Sequence, residues 1–212
     1  MIFSNEIGIN LNSIFLQADC VISTSPQEVE DLRQLISPPG RIKVIPCGIN
    51  IASVGTEIYQ RGVFLEKDWT NQISKDWDRD AVGAIASYFS ALIPQPDSKQ
   101  TPWKLSFCLD MDTPLEVIHD LGELLNFTGL QTEVIFSNGR DVDIIPKNSN
   151  KGKATVYLQD LLRSQSDATI VCGGSGNAIS LFQLPSAGIR LGILTQRGAE
   201  GSAEARREFA TN

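Results

Sequence analysis

Apolar and polar positions follow two rhythms along this chain. The run ADCVIST reads as a buried strand, and a helix-start signature follows it. Ser25 stands as N-cap, Pro26 at the first helical position, and Glu28 closes a capping box. The helix is predicted through VEDLRQLI and ends at Pro38-Pro39-Gly40. RIKVIP is predicted as a second strand. Strand, helix and strand joined by short connections make the unit of a parallel α/β sheet.

From Ile51 the pattern changes. IASVGTEIY predicts a strand and a turn. Trp69, Ile73, Trp77, Ala81 and Ile85 recur at helical spacing, so Asp68 to Phe89 is predicted helical, in one piece or two. Pro94-Gln95-Pro96-Asp97 is predicted as a loop. KLSFCLD alternates Leu105, Phe107 and Leu109 and predicts a strand with one buried face, while Leu115, Ile118, Leu121 and Leu125 mark an amphipathic helix. TEVIF, the turn Ser137-Asn138-Gly139-Arg140 and DVDIIP form a predicted hairpin, because Asn-Gly supplies the backbone a tight hairpin turn needs. Its second strand carries Asp141 and Asp143 on one face, Val142 and Ile144 on the other. A helix is predicted from near Lys151, with Ala154, Tyr157, Leu158, Leu161 and Leu162 as its apolar residues. ATIVC is a predicted buried strand, GGSGN a glycine loop and AISLF a short helix. Apolar periodicity fades beyond Gly188, and the last dozen residues are predicted as a frayed helix or disorder.

The 212 residues, 42% hydrophobic and 20% charged, suit one soluble domain or a core with a small cap. A net charge of -7 argues against general attraction to nucleic acid or to an anionic membrane surface. No apolar run approaches the roughly 20 residues of a membrane helix, and the opening MIFSNEIGIN lacks the basic start and apolar centre of a secretory signal. A cytoplasmic protein with neither nucleic-acid nor membrane partner is expected. Cys20, Cys47, Cys108 and Cys172 form no C-x-x-C pair and sit in or beside apolar runs, so buried reduced thiols are expected. The lone histidine, His119, lies in a predicted amphipathic helix, and no zinc site is expected.

Three stretches carry the candidate chemistry: SVGTEIY at 53–59, SNGRDVDIIPKNSNKGKA at 137–154 and CGGSGNAISLF at 172–182. In order and spacing they resemble the sucrose-phosphate phosphatase family of haloacid-dehalogenase-like hydrolases. WDRDAVGAIA, PQPDSKQTPWKLSF and SNKGKATVYL are similar to that family's cyanobacterial members. The resemblance covers roughly residues 50 to 185. It implies an α/β fold: a partial Rossmann-like haloacid-dehalogenase-type core with an inserted α+β cap. The implied division is core at 51–59 and 147–187, a sugar-recognising cap at 60–146, and an atypical tail at 188–212.

The family hydrolyses sucrose 6-phosphate to sucrose and phosphate. An aspartate attacks the phosphate monoester and forms an aspartyl-phosphate, a second aspartate handles the proton, and a hydroxyl residue and a lysine hold the phosphate. Magnesium on oxygen ligands neutralises the phosphate charge. The resemblance places the phosphate lysine at Lys151, where a helix start would add backbone N–H groups that favour anions. It points Glu57, Lys104, Asn138, Asp141, Asp143, Ser175 and Asn177 toward substrate, the carboxylates and amides suiting sugar hydroxyls.

The chain departs from the family where chemistry is done. The family loop Gly-Asp-Ser-x-Asn-Asp reads Gly173-Gly174-Ser175-Gly176-Asn177-Ala178, so no metal-binding set is intact: Gly174 and Ala178 occupy the aspartate positions. Magnesium binding is expected to be poor. The nucleophile motif Asp-x-Asp-x-Thr is missing from residues 1–50. Asp110-Met111-Asp112-Thr113 mimics it, but its threonine comes one position early and Pro114 follows, so it is read as a loop of solvated acids.

Residues 10–50 resemble something else. QADCVISTSPQEVEDLRQLISPPGRIKVIPCGIN is similar to the middle of a retaining glycosyltransferase with two Rossmann-like domains. The nucleotide-sugar half is absent and no donor-site residue carries over. Residues 1–50 therefore read as a glycosyltransferase-like β-α-β segment, able to supply a surrogate strand-helix-strand to the phosphatase sheet. Three functions follow: a working phosphatase; a non-catalytic sugar-binding or regulatory module related to the phosphatase-like domain of sucrose-phosphate synthase, with sucrose, sucrose 6-phosphate or such a synthase as partner; or a remnant of fused glycosyltransferase and phosphatase genes. Weak or absent activity is expected.

Overall fold

The computed structural model describes residues 20–22, 49–60, 64–163, 169–173, 178–185 and 189–192. Strand β1 (Cys20–Ile22) is followed by β2 (Ile49–Ala52), β3 (Glu57–Gln60) and β4 (Phe64–Leu65). Strands β2, β3 and β4 form an antiparallel sheet in that order. The β2–β3 turn passes through Ser53, Val54 and Gly55, with φ of 48, 63 and 111°. The first two are left-handed without being glycine, and Val54 is β-branched, which makes this turn a local store of strain.

The helical stretch predicted for 68–89 is two helices, α1 (Lys67–Ser74) and α2 (Arg79–Ala86). Asp78 breaks it, because its carboxylate accepts from the backbone N–H of Ala81 at 2.9 Å and caps a new helix. Trp69 and Ile73 of α1 pack with Ile51, Ile58, Ala154 and Leu158, whereas Val82 and Ala86 of α2 enter a different cluster.

That second cluster lies on one face of a four-stranded antiparallel sheet. Its strands are β5 (Leu92–Pro94), β6 (Leu105–Leu109), β7 (Thr132–Ser137) and β8 (Asp141–Pro146), in the order β5-β6-β8-β7. Leu105, Phe107, Leu109, Val142 and Ile144 point to this face and pack with α2 and with Leu121 and Leu125 of α3 (Glu116–Phe127). The opposite face carries Asp141, Asp143 and Ile145 of β8, opposite Cys108 and Ser106 of β6 and Ser137, Ile135 and Glu133 of β7. Asn138 and Gly139 take φ of 55 and 72°, the primed hairpin turn the sequence predicts.

Several expectations change. Leu92–Pro94 is an edge strand that reaches into the predicted loop; Pro94 is tolerated at its end, where no ladder donor is required. Leu115 stands before α3 and is exposed, so the buried face of that helix is narrower than its apolar spacing suggests. Cys108 is half-buried, because it lies on the polar rather than the apolar face of β6.

The chain then forms α4 (Lys151–Leu162), β9 (Thr169–Gly173), α5 (Ile179–Phe182) and β10 (Ile189–Gly192). Ala154 and Leu158 of α4 are buried, but Leu161 and Leu162 are exposed. Strands β1 and β10 flank β9 in a parallel sheet, pairing Cys20 with Thr169 and Ile189 with Ile170. The fold is α/β, with a Rossmann-like parallel sheet and an inserted antiparallel α+β unit. Strand β1, within the stretch predicted as a β-α-β segment, pairs with β9 in that sheet. Strand β10 lies where the sequence offered no periodicity, four residues being too few to show one. The helix predicted from Ser25, the strand RIKVIP, residues 174–177 and the last dozen residues lie outside the described residues. Among the described residues, no helix is long and apolar enough to cross a membrane.

Candidate functional site

Four of the predicted site residues meet on the polar face of the four-stranded sheet. Lys104 Nζ lies 3.4 Å from Asp143 Oδ1, with both side chains 10% exposed. Ser106 Oγ donates to the same carboxylate oxygen at 2.5 Å. Asp141 accepts from Asn138 Nδ2 at 2.9 Å and from Gln95 Nε2 at 3.1 Å. Gln100 accepts from the Ser106 backbone N–H at 2.9 Å and donates to the Gln95 carbonyl at 2.9 Å. The buried charges are thus paired and hydrogen-bonded, the condition for keeping them out of water. Carboxylates offer about four acceptor directions, so Asp141 retains capacity for incoming hydroxyl donors.

Ser106, Gln95 and Gln100 were missed in the sequence. Ser106 had a signal: it is out of phase with Leu105, Phe107 and Leu109, so it must share a face with whatever lies opposite, which is Asp143. Glu57 is buried in β3, where it accepts from Ser53 Oγ at 2.5 Å. Burial first, and the Glu57 carboxylate next, push the Tyr59 phenol above its ordinary range. The described hydrogen bonds of Glu57 stay within its hairpin and do not join it to the Lys104–Asp143 group.

Lys151 is the first residue of α4 and is buried. Asn150 caps the helix, its Oδ1 accepting from the Lys153 N–H at 3.0 Å. The SVGTE turn presses directly on this helix start. A Cβ at Gly55 would run into the backbone of Ser149, Asn150 and Lys151, so only glycine fits there. Gly152 is equally constrained by the Ser180 carbonyl, and its N–H donates to Ser180 Oγ at 3.1 Å. The buried Trp69 holds the turn from behind, donating Nε1–H to the Gly55 carbonyl at 3.0 Å. Its ring lies 5.2 Å from that of Tyr157, whose hydroxyl donates to Glu66 at 3.2 Å. Burial, and secondarily the Glu66 charge, push the Tyr157 phenol up to about 12.

The surroundings of Ala178 are apolar. Ala178 is fully buried among Val171, Leu181 and Leu184. A methyl group in hydrocarbon surroundings offers a hard cation no oxygen, so this position does not fit magnesium. Gly174, Ser175 and Asn177 lie outside the described residues. Asp110 to Asp112 form an exposed turn, in keeping with a loop of solvated acids. Among the described residues, the cluster of metal-capable side chains is His119, Asp120 and Glu123, all exposed on α3.

Residues 27–208 match the family described as Sucrose-6F-phosphate phosphohydrolase. The chain belongs to that family. The match extends past the 50–185 range of the motifs on both sides: it begins within the transferase-like stretch and includes β10. Sucrose-phosphatase 2 of Nicotiana tabacum is 36% identical over 141 residues, 65% of this chain. A HAD-like hydrolase of Nitrosococcus oceani is 30% identical over 144 residues, 62% of this chain and 39% of its own length. This phosphohydrolase-family chain spans only 33% of the tobacco relative's length. The sucrose-phosphatase of Synechocystis sp., solved in complex with sucrose and phosphate, superposes with a TM-score of 0.66 at 35% identity, covering 87% of this chain and 81% of that one.

Proposed function

We propose that the chain binds a sucrose-type sugar phosphate and hydrolyses it weakly or not at all. Residues 60–146 act as the cap, and their polar face presents Lys104, Asn138, Asp141 and Asp143 to sugar hydroxyls. Residues 51–59 and 147–187 act as the core, in which Lys151, supported by Ser175 and Asn177, holds the phosphate. The Asp141 carboxylate accepts from a sugar hydroxyl, the Lys104 ammonium orients Asp143, and Lys151 at the start of α4 brings a positive charge to the anion. The family's magnesium supplies charge neutralisation at the phosphate when its aspartates are present; here a methyl group stands at one of those positions, and no step is assigned to the metal.

The observation that carries this reading is the hydrogen-bonded polar face around Asp143 and Asp141, together with the apolar cluster around Ala178. The Synechocystis relative, which holds sucrose and phosphate, supports the ligand class. The parallel pairing of β1 with β9 supports a related reading, in which a transferase-derived segment completes the sheet of a regulatory or relic chain associated with sucrose-phosphate synthase.

Replacing Asp141 and Asp143 together by alanine tests the pocket. Hydrogen bonds to charged groups contribute about 1.5–3 kcal/mol each, so sucrose affinity should fall at least about tenfold in calorimetric titration, in protein whose melt remains cooperative. Unchanged affinity would remove these residues from the site.

A further inference from the structure

The polar sheet face and the start of α4 are joined by the side-chain pair Glu133–Asn150. Glu133 lies in β7 opposite Ile145, on the same sheet face as the Ser137–Asp141 pair further along the ladder, so it shares the face of Asp141 and Asp143. Both its carboxylate oxygens lie 2.9 Å from Asn150 Nδ2. The other end of the Asn150 amide, Oδ1, caps α4. One asparagine thus points its acceptor into the helix that begins with Lys151 and its donor into the sheet that carries Asp141 and Asp143. The connection between the two is short and stiff. Only residues 147–150 separate β8 from α4, and Ser149 folds back on the Pro146 carbonyl through Oγ at 2.6 Å. Lys147 N–H donates to the Gln131 carbonyl at 2.9 Å, and Gly55 closes the far side of the helix start.

We propose that Glu133 is a positioning residue: paired with Asn150, it fixes the separation between the sugar-reading face and Lys151, so that a ligand carrying both sugar and phosphate is gripped at both ends at once. This rests on the sugar-phosphate reading above. A two-headed ligand gains affinity because its second contact forms within the complex, and the gain vanishes when the two subsites are not held at the matching distance. A carboxylate suits the brace: its hydrogen bond is charge-assisted, and a negative charge near a helix N-terminus is favourable.

Three variants test it: E133A, N150D and the exchange E133Q with N150D. In N150D the new carboxylate still caps the helix but faces Glu133 with a like charge. In the exchange, the glutamine amide donates to that new carboxylate, and the brace is rebuilt with its polarity reversed. Affinities for sucrose 6-phosphate, sucrose and inorganic phosphate are measured on each, together with the melting temperature. The expected result is a fall of about tenfold for sucrose 6-phosphate in E133A and N150D, changes within about twofold for sucrose and for phosphate alone, and recovery in the exchange. Equal losses for all three ligands, unchanged sucrose 6-phosphate affinity, or no recovery in the exchange overturns the brace while leaving the sugar-phosphate reading intact. A native chain that binds neither sucrose nor phosphate overturns both.

Discussion

The polar face of the four-stranded sheet and the apolar cluster around Ala178 are built in opposite ways. On the sheet, Lys104 pairs with Asp143, Ser106 donates to the same carboxylate, and Asn138 donates to Asp141. Around Ala178, the position that the resemblance assigns to a metal aspartate, a methyl group packs against Val171 and Leu181. Different contacts hold the two regions. The polar face is stabilised by its own internal pairs. A cluster of metal-binding acids repels itself unless the cation is present, and a small apolar residue relieves that repulsion. On the proposed reading, recognition outlasts chemistry in one fold.

The comparison is broken most forcefully at Ala178. Ala178→Asp puts an unpaired carboxylate into a sealed apolar cluster and should destabilise the chain by about 3–5 kcal/mol in denaturant unfolding. Added magnesium should not recover that loss. Recovery by millimolar magnesium would show that a metal site is still formed there.

The sheet should respond in the opposite sense to paired and unpaired changes. Asp143→Ala strands the buried Lys104 ammonium and should cost about 3 kcal/mol. Lys104→Met with Asp143→Leu removes both charges and should return to within about 1 kcal/mol of native stability, while abolishing sugar affinity. If the double variant is as unstable as the single one, the pair is not an autonomous unit of the sheet.

The smallest effect concerns Tyr157, which ties α4 to Glu66 ahead of α1. Its phenol titrates at about 12 in the folded chain against 10.0 for the free group. Above pH 10 the unfolded chain releases this proton first, so the contribution is fully present below pH 10 and is lost as pH rises toward about 12. The melting temperature of Tyr157→Phe should accordingly fall less than that of the native chain across this window. Equal falls would mean that another group governs alkaline unfolding.

What the sequence disclosed was local. The Asn138-Gly139 turn and the shared face of Asp141 and Asp143 follow from turn chemistry and a period of two, both readable within a few residues. The break at Asp78 was readable only as an option, since one capping carboxylate decides it. The partners of the site were not legible: Ser106 reaches Asp143 across 37 residues of sequence, Glu133 reaches Asn150 across 17, and Gln95 reaches Asp141 across 46. Sheet register, not periodicity, brings these together. Leu115, Leu161 and Leu162 show the converse: apolar spacing marks a possible face but not what covers it.

The most direct test is titration of the purified chain with sucrose 6-phosphate, with and without magnesium, while released phosphate is followed. Binding that is indifferent to magnesium, with no phosphate released, is the predicted result. Magnesium-dependent phosphate release that is lost in Lys151→Ala would contradict it, and would place catalytic acids in a chain whose described residues supply none at the family's metal position.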